Sequence, residues 1–173
     1  ADLADIARTM PNQFFVEDKF DGIRSQAHIQ DARVAIYSRT MDEITHRFPE
    51  LVKPLRDLGT DAVIDGEIVP ARGQTILPFS ELQKRLGRKN ISEELLSEVP
   101  VVLVAYDLLY ADGRVLTDDS LEHRRTLMEK IIPADGTVRI SQAKRFDVVA
   151  TLDDEFDAAR ARGNEGPMIK SPA

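Results

Sequence analysis

Lys19, in the string Glu17-Asp18-Lys19-Phe20-Asp21-Gly22-Ile23-Arg24, stands two residues before an Asp-Gly pair and just after the apolar Phe14-Phe15-Val16. That arrangement suits a nucleophilic amine held at the end of a buried strand by a tight bend, with Asp21 fixing the bend rather than acting as a base. Two later stretches carry further reactive groups. Asp65-Gly66-Glu67 interrupts the apolar run Ala62-Val63-Ile64 … Ile68-Val69, and Glu165-Gly166-Pro167-Met168-Ile169-Lys170 puts a carboxylate and an amine on one short strand. A free lysine titrates near ~10.4, so a nucleophilic Lys19 needs burial or neighbouring cations, Lys170 among them, to lose its proton. Lys-x-Asp-Gly alone occurs by chance in roughly one chain in 25 of this length, whereas the three stretches in a fixed order come to about 10⁻⁵.

Taken in order, the three stretches resemble the covalent nucleotidyltransferase superfamily, and specifically the adenylation domain of ATP-dependent DNA ligases. Ser38-Arg39-Thr40 and Tyr106-Asp107-Leu108-Leu109-Tyr110 support the narrower family, and the resemblance runs from about Phe14 to Lys170. It implies that Lys19 attacks the α-phosphorus of ATP to give lysyl-AMP, and that AMP passes to the 5′-phosphate of nicked double-stranded DNA before the 3′-hydroxyl seals the nick. The resemblance also implies roles for the other residues. Lys170 would sit beside Lys19, and Glu17 beside the adenine. Glu67 would hold a ribose hydroxyl, Tyr106 would stack on the purine, and Arg24 and Arg39 would reach ribose or phosphate. Glu165 would support the sugar and, with Glu67, a Mg²⁺ ion; Arg85 and Arg88 would meet DNA.

The bland alternatives are core packing for Tyr106, an edge-strand surface carboxylate for Glu67, and a generic turn arginine for Arg39. The run Lys84-Arg85-Leu86-Gly87-Arg88-Lys89 divides in the same way between phosphate contacts and a solvated helix end favoured by the helix dipole. Two enzymatic alternatives share the lysine chemistry: an RNA ligase and a GTP-using capping enzyme. A non-catalytic nucleotide- or DNA-binding fragment is the alternative of another class.

At 173 residues, 42% hydrophobic and 31% charged, the chain fits one domain with a sizeable core. Zero cysteines exclude disulfides and thiolate zinc sites, and the three histidines lack metal-ligand spacing. A net charge of −7 argues against coating DNA by charge alone, so DNA must be met locally. No apolar run reaches the ~20 residues of a membrane span, which points to a cytoplasmic monomer without membrane contact. Only 18 residues precede Lys19 and the chain stops at Ala173. By comparison with the family, residues 1–173 read as an excised adenylation domain without an oligonucleotide-binding-fold domain or an N-terminal DNA-binding domain. Pro167 stands where the family has an aliphatic residue, and it removes a backbone donor from the last strand.

The elements that must position these groups follow from periodicity and stop signals. A short helix or frayed leader covers 1–10, and strands run to Lys19, over 25–30 and over 33–39, with Gln30-Asp31-Ala32-Arg33 as a hairpin turn. A helix spans 45–58, with Pro54 kinking it or shifting its start. Strands over 61–70 and 100–110, the latter central, carry Glu67 and Tyr106. Helices begin at Phe79 and at an Asn90–Glu93 capping box, and span 121–132 and 152–161. Strands over 137–143 and 167–171 complete the set. The fold class is α+β: two mainly antiparallel sheets with flanking helices around a nucleotide cleft, as in ligase and capping-enzyme catalytic domains.

Overall fold

A computed structural model describes residues 13–88, 90–146 and 152–173, apart from the Asp153 side chain. The expected helix over 1–10 lies outside the described residues. The strands are β1 (Phe14–Lys19), β2 (Ile23–Gln30), β3 (Arg33–Ser38), β4 (Ala62–Arg72), β5 (Thr75–Ile76), β6 (Val101–Ala111), β7 (Arg114–Val115), β8 (Val138–Ile140), β9 (Ala143–Phe146) and β10 (Gly166–Lys170). The helices are α1 (Pro49–Arg56), α2 (Phe79–Leu86), α3 (Glu93–Glu98), α4 (Leu121–Ile131) and α5 (Leu152–Ala161).

The strands form two sheets. The larger runs β3-β2-β4-β6-β7, with β5 on β4 and β8 on β6, and the smaller runs β10-β1-β9. All pairings are antiparallel except β6 with β8. Two short segments carry the chain from one sheet to the other: Phe20-Asp21-Gly22 between β1 and β2, and Ser141-Gln142 between β8 and β9. Lys19 is therefore the last residue before a crossing. The single strand expected over 137–143 is in fact two strands in different sheets. Its apolar alternation, Val138 and Ile140, ends at Gln142 in the crossing, but no Gly or Pro stands there to mark the change of partner.

Gly22 makes the first crossing possible. A Cβ there would stand 2.3 Å from the Ile68 carbonyl oxygen and 2.7 Å from Val69 Cγ1, so only a glycine lets the chain press onto β4.

Helices cover one face of the larger sheet. Phe48, Leu51 and Leu55 near α1, Leu82 of α2 and Met128 of α4 pack with Ile64, Ile68, Leu103 and Leu108. Each such side chain contributes about 1.5–3 kcal/mol on burial. Pro49 opens α1 after a one-turn 3-10 segment, Thr45–Arg47, so the helix expected over 45–58 starts later; Pro54 lies inside it. Ser92 rather than Asn90 caps α3, accepting from the Leu95 N–H. Ser120 caps α4, accepting from the His123 N–H.

Val69, Ala71, Val102 and Val104 pack with Phe20 and Ile76 in a second cluster, and Phe14, Val16 and Leu152 with Phe146 and Ile169 in a third. β10 is an edge strand, where a proline is tolerated, and Pro167 pairs opposite Asp18 without breaking it. Among the described residues no helix is long and apolar enough to cross a membrane.

Candidate active site

Alternation along β1 puts Glu17 and Lys19 on one face and Val16 and Asp18 on the other. The β1–β10 register sets Lys19 opposite Gly166, Glu17 opposite Met168 and Phe15 opposite Lys170. Glu165, just before β10, thus reaches the end of β1. Its backbone N–H donates to the Lys19 carbonyl at 3.0 Å, and its carboxylate accepts from Lys19 Nζ. This contact, reinforced by the charge of Glu165, raises the Lys19 pKa above its ordinary value.

The expected pairing of the two lysines does not occur. Four positions of strand separate Lys19 from the partner of Lys170, roughly 13 Å at about 3.3 Å per residue. Lys170 instead donates to Glu17 Oε2 at 3.0 Å and lies 4.9 Å from the centre of the Tyr106 ring. Glu17 is only 3% exposed, and it also accepts from Arg125 Nη1 at 3.3 Å and Ser141 Oγ at 3.0 Å. Its carboxylate is occupied from the protein side. Arg125 and Ser141 escaped the sequence reading because they lie on α4 and on the β8–β9 crossing, far from the reactive stretches.

The larger sheet supplies the opposite wall. β2 and β4 set Arg24 opposite Glu67 and Gln26 opposite Asp65. Arg24 Nη2 donates to Asp65 Oδ2 at 2.9 Å, which leaves Glu67 without a hydrogen bond or ion pair among the described residues. Burial, with the charges of Asp65, Asp21 and Glu165 outweighing the relief from Arg24, pushes the Glu67 carboxyl up to about 7. The β4–β6 register passes from Asp65↔Asp107 to Gly66↔Ala105, so Tyr106 is the extra residue of a β-bulge. A bulge re-aims the side chain it carries, and Tyr106 lines the cleft. Burial and the neighbouring Asp65 and Glu67 raise its phenol pKa. Gly66 allows the close approach at this bulge, since a Cβ would fall 2.6 Å from the Val104 carbonyl oxygen.

Glu17, Lys19, Asp21, Arg24, Arg39, Glu67, Tyr106, Glu165 and Lys170 all line one cleft of about 460 Å³. Arg39 is held out by a compact loop in which Ser38, Thr40 and Asp42 bond one another. Among the described residues no cluster of three or more acidic or histidine side chains is poised as a closed metal site. Glu67 and Glu165 nonetheless suit Mg²⁺, which is ordinarily held by one or two carboxylates together with substrate phosphates and water.

Arg85 is not available to DNA. It is 1% exposed; Nη2 donates to Glu50 Oε2 at 2.8 Å and to the Arg47 carbonyl at 2.7 Å, and the guanidinium lies 5.0 Å from the Phe48 ring centre. Its helical position turns it inward, where it pins α2 to α1. Arg88, two residues past the end of α2, stays exposed and lines a surface cavity with His46 and Arg47.

Comparison with known proteins settles the family. The model of the ATP dependent DNA ligase domain matches residues 1–173. The chain belongs to that family. A Koribacter versatilis protein named "Probable DNA ligase" is 43% identical over 179 residues, covering 90% of this chain and 31% of that protein. The chain therefore spans less than a third of the length of this curated relative. Among solved structures, the ligase domain from M. tuberculosis LigD has a TM-score of 0.75 at 28% identity over 96% of this chain and 51% of that one. A mycobacterial DNA ligase D complexed with ATP and MES has a TM-score of 0.73 at 27% identity, over 94% of this chain and 50% of that one. The expected α+β ligase-type fold is the one these neighbours share.

Proposed function

We propose that this ligase-family domain adenylates itself on Lys19. The Lys19 amine attacks the α-phosphorus of ATP, a P–N bond forms, the P–O bond to pyrophosphate breaks, and the product is lysyl-AMP. The observation that carries this reading is the single cleft in which Lys19, Tyr106, Glu67 and the cations Arg24, Arg39 and Lys170 meet. The similar mycobacterial DNA ligase D complexed with ATP supports the choice of nucleotide.

Each residue has a task that follows from its chemistry. Tyr106 offers a flat face for the purine, and the unpaired Glu67 carboxylate accepts from ribose hydroxyls. Arg24 and Arg39 meet phosphate oxygens, whose developing charge is the main thing to be offset. Lys170, anchored on Glu17, brings a cation to the same cleft. Glu67 and Glu165 would hold Mg²⁺, which supplies charge neutralisation on the phosphates when bound. Asp21 serves the bend. Lys19 must first shed the proton that Glu165 stabilises, and Glu165 is the nearest acceptor for it.

In the whole protein, AMP would pass from Lys19 to the 5′-phosphate of a DNA nick, and the 3′-hydroxyl would then displace AMP. Of Arg85 and Arg88, Arg88 is the one left exposed to touch that DNA. The protein would act as a cytoplasmic monomer. Incubation with α-labelled ATP or GTP, denaturation and peptide mass analysis tests the reading: label from ATP on Lys19, absent in Lys19→Ala, is expected. Label from GTP alone would favour a capping enzyme, and nucleotide binding without label a non-catalytic domain.

A further inference from the structure

Asp18 stands one residue before the nucleophile and on the other face of β1, the face on which Phe14 and Val16 pack with Leu152. Its carboxylate holds three bonds there. Arg162 Nε donates to Oδ2 at 2.9 Å and Nη2 to Oδ1 at 2.5 Å, and Asn164 Nδ2 donates to Oδ2 at 3.0 Å. A lone exposed ion pair contributes little, but this one is a two-pronged guanidinium fork reinforced by an amide that is only 8% exposed.

Both donors belong to segment 162–165, which leads from α5 into β10, and Glu165 is its last residue. The helix end of the segment is tied by the Gly163 N–H to the Arg160 carbonyl at 3.0 Å and by the Asn164 N–H to the Ala159 carbonyl at 3.1 Å. Asp18 ties it to the strand that carries Lys19. From there the chain comes round to the front of β1, where Glu165 meets the Lys19 carbonyl through its N–H and Lys19 Nζ through its carboxylate. That carboxylate is half-exposed and, among the described residues, hydrogen-bonds no side chain but Lys19. Its place therefore depends on the segment behind it rather than on packing of its own.

We infer that Asp18 is a positioning residue for the transfer to Lys19: from the back of β1 it clamps Arg162 and Asn164, and so holds Glu165 against the nucleophile. The inference rests on the adenylation reading. Asp18 touches neither nucleotide nor reacting amine, and acts through Glu165, whose displacement by even an ångström costs rate rather than binding.

Two measurements on Asp18→Ala test it, one of which needs no nucleotide. Amide hydrogen exchange should rise at least about tenfold at Glu165 and stay unchanged at Ala27, in the central strand β2, which reads the stability of the larger sheet. Single-turnover labelling of Lys19 at saturating ATP should fall about tenfold, with ATP affinity kept within about twofold. In a Glu165→Ala background, Asp18→Ala should slow labelling no further, because the residue it positions is gone. Should Asp18→Ala not fold, Arg162→Met removes the fork from its more exposed side, and the same outcomes are expected. Unchanged exchange at Glu165, exchange that rises as much at Ala27, a loss of ATP affinity in place of rate, or an undiminished effect in the Glu165→Ala background would overturn the inference. Absence of label in the unaltered chain would instead overturn the adenylation reading, and the clamp of Asp18 on Glu165 would then stand or fall on the exchange at Glu165.

Discussion

Arg24 faces Glu67 across the β2–β4 pair yet bonds Asp65, two residues away on the same face of β4. The choice leaves one carboxylate of the Asp-Gly-Glu stretch neutralised and the other half-buried and unpaired, with its pKa pushed up to about 7. An unpaired acid at this place in the cleft is free for hydroxyls or a metal ion, and it costs the ligand-free fold something to keep.

That cost has a sign. Because the folded pKa of Glu67 is raised above its unfolded value of 4.5, the native state binds more protons than the unfolded chain between about 4.5 and 7. Stability attributable to this group is therefore present below 4.5 and lost as pH rises through about 7. Glu67→Gln should stabilise the free domain at pH 8, by on the order of 1 kcal/mol after discounting for solvent screening, and should gain nothing at pH 4. Urea denaturation at the two pH values checks this, and nucleotide affinity should fall in the same variant.

Lys19 has the opposite problem. The Glu165 contact holds it protonated, so the adenylation rate should climb with pH into the alkaline range. In Glu165→Gln the midpoint of that profile should move to lower pH even though the maximal rate drops with the lost carboxylate. A profile of single-turnover labelling against pH separates the two effects, since position and height report different roles. An unmoved midpoint would contradict the assigned ion pair.

Arg125 reaches Glu17 and the Ser141 carbonyl from α4, across the sheets. Arg125→Met should destabilise the domain by about 3 kcal/mol, because a buried carboxylate loses one of its charged partners. With Glu17 less firmly held, Lys170 loses its anchor, and AMP affinity should fall further than in Arg125→Lys. Chemical denaturation and calorimetry on both variants make the comparison.

Arg85 and Arg88 are three residues apart and should behave differently. Arg85→Met should lower stability by on the order of 3 kcal/mol through the exposed loss at Glu50 and the α1–α2 contact, and leave the salt dependence of DNA binding unchanged. Arg88→Ala should leave stability within about 0.5 kcal/mol and reduce the salt slope of nicked-duplex binding by about 1. Fluorescence anisotropy at several salt concentrations reads the slope directly.

Much of this molecule is legible in its sequence alone. The Asp-Gly bend after Lys19 and the hairpin turn at Asp31-Ala32 are local signals, set by the φ values and hydrogen bonds that each residue type allows. Lys19, Glu67, Tyr106, Glu165 and Lys170 were assembled as one set by the fixed order of their motifs and the resemblance those motifs carry. Partner choice was not legible. Lys19 meets Glu165, Lys170 meets Glu17, Arg24 meets Asp65 and Arg85 meets Glu50 because strand register and helix packing bring them together. A side-chain period of two fixes the face of a strand but not its offset against a neighbour, and a basic run on a short helix shows its charge without showing which cation turns inward. The split of 137–143 between two sheets, and the bulge that leaves Tyr106 unpaired, were decided in the same way: by what the rest of the chain had already placed alongside.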